Sequence, residues 1–178
     1  MRKIVLLLAF LGAQTFVHAQ FNVGANAILQ LHQGDFKQAT SLAYGGNASL
    51  GYTFDQMVDL SLVYSTYWYN SNPEFGLNSK TVEIKFFFLN WSSRPYIGCG
   101  VGKFSKTITS SILPKYIENV WGFEPKAGIL LDSKMLRNLF VDASVSYLNA
   151  KTKFNAPKAF NIAVGLKYII DFRKTTGN

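Results

Sequence analysis

Asp59, Glu83, Lys85, Glu124, Lys126, Asp142, Lys167 and Asp171 share one property of spacing. Each falls, by strict alternation, on the face opposite a row of bulky apolar side chains. Carboxylates and ammonium groups interleaved in this way have three chemistries open to them. Paired carboxylates can act as general acid and base on a glycosidic bond, but that requires an open cleft, and no segment here is built to form one. A line of exchangeable pairs can carry protons or ions. Finally, opposite charges can neutralise one another inside a narrow interior, where an unpaired charge is costly. The last reading, a structural ion network, demands least of the sequence and is adopted.

The remaining reactive types are few. His32 is the only histidine after the N-terminal leader, and Asp35 lies close to it. No serine neighbours it on the same strand, so a nucleophile, base and acid arrangement is not in place. His32 is read as a solvated residue at the start of a loop. Cys99 is the single cysteine, which excludes an intramolecular disulfide. One histidine and one cysteine do not make a transition-metal site, and no cofactor is expected. Gly98-Cys99-Gly100-Val101-Gly102 has the glycine content of a dinucleotide loop but no helix after it. Its glycines are read as strand positions that leave room for neighbouring side chains.

The element that must position these residues is a β-strand of membrane length, and the end of the chain displays it best. Phe160, Ile162, Val164, Leu166, Tyr168, Ile170 and Phe172 alternate with Asn161, Ala163, Gly165, Lys167 and Asp171. The same period of two recurs over Phe21–Leu31, Leu42–Phe54, Val58–Trp68, Val82–Phe88, Ile97–Val101, Trp121–Leu131 and Leu139–Tyr147, which makes eight strands. Between them, spans expected to be long (32–41, 70–79, 105–119, 149–158) alternate with shorter ones (55–57, 92–95, 132–138). Such alternation belongs to an up-and-down barrel with short turns at one end and longer loops at the other. Pro125 interrupts its strand pattern and predicts a bulge or a slip of register.

Volume decides which face is outside. The interior of an eight-stranded barrel is just wide enough for side chains to fill. The Phe, Tyr, Trp, Leu and Ile face is too bulky for it, whereas Gly, Ala, Ser and Asn fit. The bulky face must point outward, and an apolar exterior is at home in lipid. The expected fold is all-β, an eight-stranded antiparallel up-and-down transmembrane β-barrel. Tyr52, Phe54, Tyr96, Tyr168 and Phe172 would form one aromatic girdle; Tyr44, Trp68, Trp121, Tyr147 and Phe160 would form the other. Val164→Arg should then impair insertion, while Asn161→Ser should be mild.

The start of the chain agrees. Arg2-Lys3, an apolar run over Ile4–Leu11 and the small-residue site Val17-His18-Ala19 read as a signal peptide over residues 1–19. Residues 20–172 would form the barrel and 173–178 a short periplasmic tail, with both ends of the mature chain periplasmic. The formal charge of +8 falls by two when Arg2 and Lys3 leave. An exported basic chain meets anionic lipid before nucleic acid, so nucleic acid is not an expected partner. The expected outer loops hold Lys37, Lys80, Lys103, Lys106, Lys115, Lys151, Lys153 and Lys158 against Asp35, Glu74 and Glu118. Lys106, Lys115, Lys151, Lys153 and Lys158 are the candidates for gripping lipopolysaccharide phosphates or an acidic partner.

On these residues the chain resembles the small outer-membrane β-barrel family of Gram-negative bacteria, the OmpA/OmpX-like and opacity-protein-like barrels. Arg94-Pro95-Tyr96-Ile97-Gly98-Cys99-Gly100-Val101-Gly102 looks like the family's strand after a periplasmic turn. Gly165, Tyr168, Ile170 and Phe172 look like its C-terminal signal for the barrel-assembly machinery, although six residues follow Phe172 here. The resemblance implies a non-enzymatic integral protein of the outer membrane, structural or surface-contacting, with outer-membrane lipid, lipopolysaccharide and a surface or envelope protein as partners. Two other classes remain open: a secreted lipocalin-like barrel with an apolar ligand inside, and a lipid A-modifying enzyme, which the histidine count opposes.

Overall fold

The computed structural model describes residues 19–33, 42–69, 75–88, 92–108, 116–150 and 158–170. They form eight strands: β1 (Ala19–Gln33), β2 (Leu42–Phe54), β3 (Val58–Tyr69), β4 (Phe75–Phe87), β5 (Ser93–Ile108), β6 (Tyr116–Asp132), β7 (Leu139–Ala150) and β8 (Lys158–Ile170). Each strand pairs antiparallel with the next, and β8 returns to β1 from Phe21↔Ile170 to Gln33↔Lys158, closing the barrel. Closure leaves no sheet edge, so the strand backbone satisfies its own N–H and C=O groups, the condition for crossing a bilayer as β-structure. No helix occurs among the described residues.

The expected alternation holds. In β3, Leu60, Leu62, Tyr64 and Trp68 are exposed while Asp59, Ser61, Val63, Ser65, Tyr67 and Tyr69 are buried. In β8, Phe160, Ile162, Val164, Leu166 and Tyr168 are exposed, and Asn161 and Lys167 are buried. A large apolar exterior around a polar interior inverts the usual arrangement of a water-soluble protein.

Two expectations need correction. First, the interior is not uniformly small and polar. Buried Tyr67, Tyr69, Leu77, Phe104 and Leu148 pack with small residues near the 34–41, 70–74, 109–115 and 151–157 connections. Phe87, Tyr96, Leu130, Phe140 and Ile169 pack at the opposite end. Asp59, Glu83, Lys85, Glu124, Lys126, Asp142 and Lys167 lie between these two apolar layers. Tyr96, expected in the outer girdle, is therefore inside, with 2% of its surface exposed; it shares the parity of Gly98 and Gly100. Inward glycines and alanines on neighbouring strands make room for such rings.

Second, the ladder outruns the apolar pattern. β4 begins at Phe75, β5 continues to Ile108 and β6 starts at Tyr116, so connections 70–74 and 109–115 are shorter than expected. Most outward positions in these extensions are polar, at Asn78, Ser105, Thr107 and Asn119, with Ile117 the apolar exception on β6. Ser105 Oγ donates to Asn119 Oδ1 across β5 and β6 at 2.6 Å. Hydrophobic alternation marks the lipid-facing band, whereas backbone pairing continues beyond it. Pro125 produces neither bulge nor slip. The β5–β6 register is uniform through Cys99↔Pro125, and β6–β7 resumes in register at Lys126↔Ser146 after a gap at Glu124 and Pro125. The missing N–H is accommodated by that gap.

Candidate functional site

The polar layer draws side chains from all eight strands. Asp59 on β3 is its most buried charge, with no exposed surface. Lys167 Nζ on β8 donates to Asp59 Oδ2 at 2.6 Å. Asn22 Nδ2 donates to the same oxygen at 2.7 Å and Thr53 Oγ1 at 2.9 Å. Ser61 Oγ donates to Asp59 Oδ1. The carboxylate is thus enclosed by four donors from β1, β2, β3 and β8, which offsets its removal from water.

A second group spans β4 to β7. Lys126 Nζ donates to Glu83 Oε1 at 2.6 Å, and Lys85 Nζ lies 3.8 Å from Glu83 Oε2 and 3.4 Å from Asp142 Oδ2. Tyr96 Oη donates to Asp142 Oδ1 at 2.7 Å, while Lys85 Nζ sits 5.0 Å from the Tyr96 ring centre. Glycines admit these side chains. Lys85 pairs in register with Gly98 and Glu83 with Gly100. A Cβ at Gly98 would lie 2.5 Å from the Ile84 carbonyl oxygen, and one at Gly100 would lie 3.2 Å from Glu83 Cγ. The glycine run is therefore space for a salt-bridge network rather than a nucleotide cradle.

Glu124 forms a third group. Asn161 Nδ2 donates to Glu124 Oε1 at 2.8 Å and Ser146 Oγ donates to the same atom. Gln30 Nε2 donates to Asn161 Oδ1 at 2.9 Å. Of the eight charges expected in the lumen, seven meet here; Asp171 lies outside the described residues. Alternation alone located the charges. It did not find Tyr96, Asn22, Thr53 or Asn161 as their partners, because partner choice depends on register around the closed barrel.

The other expected site residues disperse. Lys106 is on β5, faces inward and is buried, in register with Glu118 rather than in a loop. Lys158 is the first residue of β8 and exposed. Lys115, Lys151 and Lys153 lie outside the described residues. Of the C-terminal signal, Gly165 and Tyr168 lie within β8 and Ile170 ends it, while Phe172 lies outside the described residues. His32 contradicts its reading as a solvated loop residue. It belongs to β1, is 4% exposed and stacks on Tyr69 with ring centres 5.3 Å apart. Because the β1–β8 ladder runs to Gln33, His32 is held on the inward face.

Neither a family model nor a curated protein sequence matches this chain. Solved structures do. The crystal structure of Neisserial surface protein A is similar over 84% of this chain and 97% of its own, with a TM-score of 0.72 and 16% identity. The N-terminal β-barrel domain of Pseudomonas aeruginosa OprF gives 0.57 at 21% identity, covering 84% of this chain and 99% of that one. Ail, the attachment invasion locus protein of Yersinia pestis, gives 0.54 at 17% identity, with 85% and 97% covered. The likeness is one of fold: the chain has the architecture of the small eight-stranded outer-membrane barrels.

Proposed function

We propose that this chain is a non-enzymatic integral protein of the bacterial outer membrane, which strengthens the envelope and offers its external loops for contact or adhesion. One observation carries the reading: a belt of exposed Phe, Tyr, Trp, Leu, Ile and Val surrounds a lumen closed by an ionic layer between two apolar ones. An exterior of this kind needs lipid, and an interior of this kind leaves little room for solute. Residues 1–19 act as the export signal, and both ends of the mature chain are periplasmic. Gly165, Tyr168, Ile170 and Phe172 serve the barrel-assembly machinery. Lys158 at the start of β8, with Lys115, Lys151 and Lys153, supplies the positive charge for lipopolysaccharide or an acidic surface partner.

The alternatives fit less well. A lipocalin-like carrier keeps its apolar surface inside for a ligand, the reverse of the arrangement here. A lipid A-modifying enzyme needs its histidine where lipid can reach it, whereas His32 is buried on the inward face, stacked on Tyr69. Membrane fractionation tests the proposal. The protein should stay with the outer membrane after salt and carbonate washes, leave it only with detergent, and migrate faster on gels before boiling than after. Release by salt alone would overturn it. Cells lacking the gene should keep an unchanged lipid A acylation pattern; a changed one would restore the enzymatic reading.

A further inference from the structure

Lys80 and Lys103 were expected in loops, but both lie in strands and point outward, directly opposite one another in the β4–β5 register. Their Cβ atoms are thus about 5 Å apart, a like-charge pairing that is unfavourable without a counter-ion. No outward strand position among the described residues holds Asp or Glu. Tyr64 pairs with Lys80 on one side and Trp121 with Lys103 on the other. Trp121 is 72% exposed. Toward the loops the outward residues turn polar at Asn78, Ser105 and Asn119; away from them they are Val82, Ile84, Val101 and Cys99. The two lysines therefore mark the boundary between lipid and water, bracketed by the aromatic types that favour headgroup depth.

A furrow of about 540 Å³ leads from Lys80 into the apolar band, lined by Ala48, Leu50, Leu62, Tyr64 and Val82. A second, of about 280 Å³, shares Leu50, Leu62 and Val82 and carries the channel on to Tyr52 and Leu60. Ala48 lines the upper part, and its methyl group leaves open the space beside the larger Tyr64, its partner on β3. Two cations at headgroup depth with a continuous apolar furrow below them match the two ends of one amphiphile.

We propose that the outer wall over β2–β5 is a binding site for a membrane lipid bearing a phosphomonoester, with the phosphate between Lys80 and Lys103 and an acyl chain in the furrow past Ala48. This deepens the membrane reading above and rests on it. A phosphomonoester carries up to two negative charges and three free oxygens, so it satisfies two facing ammonium groups better than a singly charged phosphodiester does.

The test uses the purified, folded barrel reconstituted into phosphatidylcholine nanodiscs containing a small fraction of either phosphatidate or phosphatidylglycerol. Lipid retained on the barrel is counted by native mass spectrometry after release. Phosphatidate should be enriched over phosphatidylglycerol. The double variant Lys80→Gln/Lys103→Gln should lower phosphatidate retention roughly tenfold or more. Lys80→Arg/Lys103→Arg should retain it, and Ala48→Phe should lower it with both charges intact. Gel migration before and after boiling confirms that each variant is folded. Equal retention of the two anionic lipids, or unchanged retention in the Gln variant, would overturn the site while leaving the membrane reading standing. Failure of the wild type to enter bilayers at all would overturn both.

Discussion

Asp59 has given up all contact with water and holds Lys167 at 2.6 Å in return. A buried pair of this kind is costly to break from one side, because the remaining charge stays desolvated. Lys167→Met should therefore destabilise the barrel by roughly 3–5 kcal/mol, read from urea unfolding in lipid vesicles. Adding Asp59→Asn should recover much of that loss; an additive double variant would mean the two groups act independently. Asn161→Ser is a more serious change than alternation suggested. Asn161 both accepts from Gln30 and donates to Glu124, and a serine hydroxyl is too short to do both. Its cost should be about 1–3 kcal/mol, the range for a buried polar partner left unmatched. Gly98→Val should cost at least as much, since the added side chain meets the β4 backbone where Lys85 passes.

The hairpins show how strand and turn divide the work. Between β2 and β3, Asp55 and Gln56 take φ of 46° and 60°, and Met57 N–H donates to the Phe54 carbonyl at 2.9 Å. Two successive left-handed residues give a turn whose twist matches the flanking strands. Asp tolerates that conformation better than Gln. Gln56→Gly should accordingly stabilise the barrel by about 0.5–1 kcal/mol, measured in the same unfolding assay. A loss of stability would mean that the Gln56 side chain makes a contact worth more than the strain. At the other end, the largely polar outward rows of the β4, β5 and β6 extensions carry the ladder past the lipid boundary. Lys80, Lys103 and Lys106 thereby become wall or lumen residues rather than loop residues.

Closure makes the eight strands one object. Along the length that the strands share, inward side chains have neighbours from both adjoining strands, and the apolar layers at either end shut the ionic layer off from water. The folded barrel in planar bilayers should show no sustained conductance; steady channels would mean the layers open. Val164 is 53% exposed on β8, midway along the lipid-facing band. An arginine there should cost roughly 2–4 kcal/mol and reduce insertion into vesicles. Insertion as efficient as that of the wild type would mean that this face does not meet lipid.

Period-two alternation made the strand count, the outward face and seven of the lumen charges legible from the amino-acid sequence, because the side-chain direction of a strand follows from local geometry alone. Bulk against barrel diameter likewise identified the exterior without coordinates. Register around the ring is different, since it couples residues more than a hundred positions apart, as in Lys167 with Asp59. Only the tertiary structure could decide that Tyr96 serves Asp142, that His32 stacks inside on Tyr69, and that Pro125 leaves a gap rather than a bulge. It also decided where strands end, because backbone pairing stops with the ladder while hydrophobic alternation stops with the membrane. Lys80 and Lys103 lie in the interval between those two limits, which is why their spacing in sequence gave no sign that they face each other.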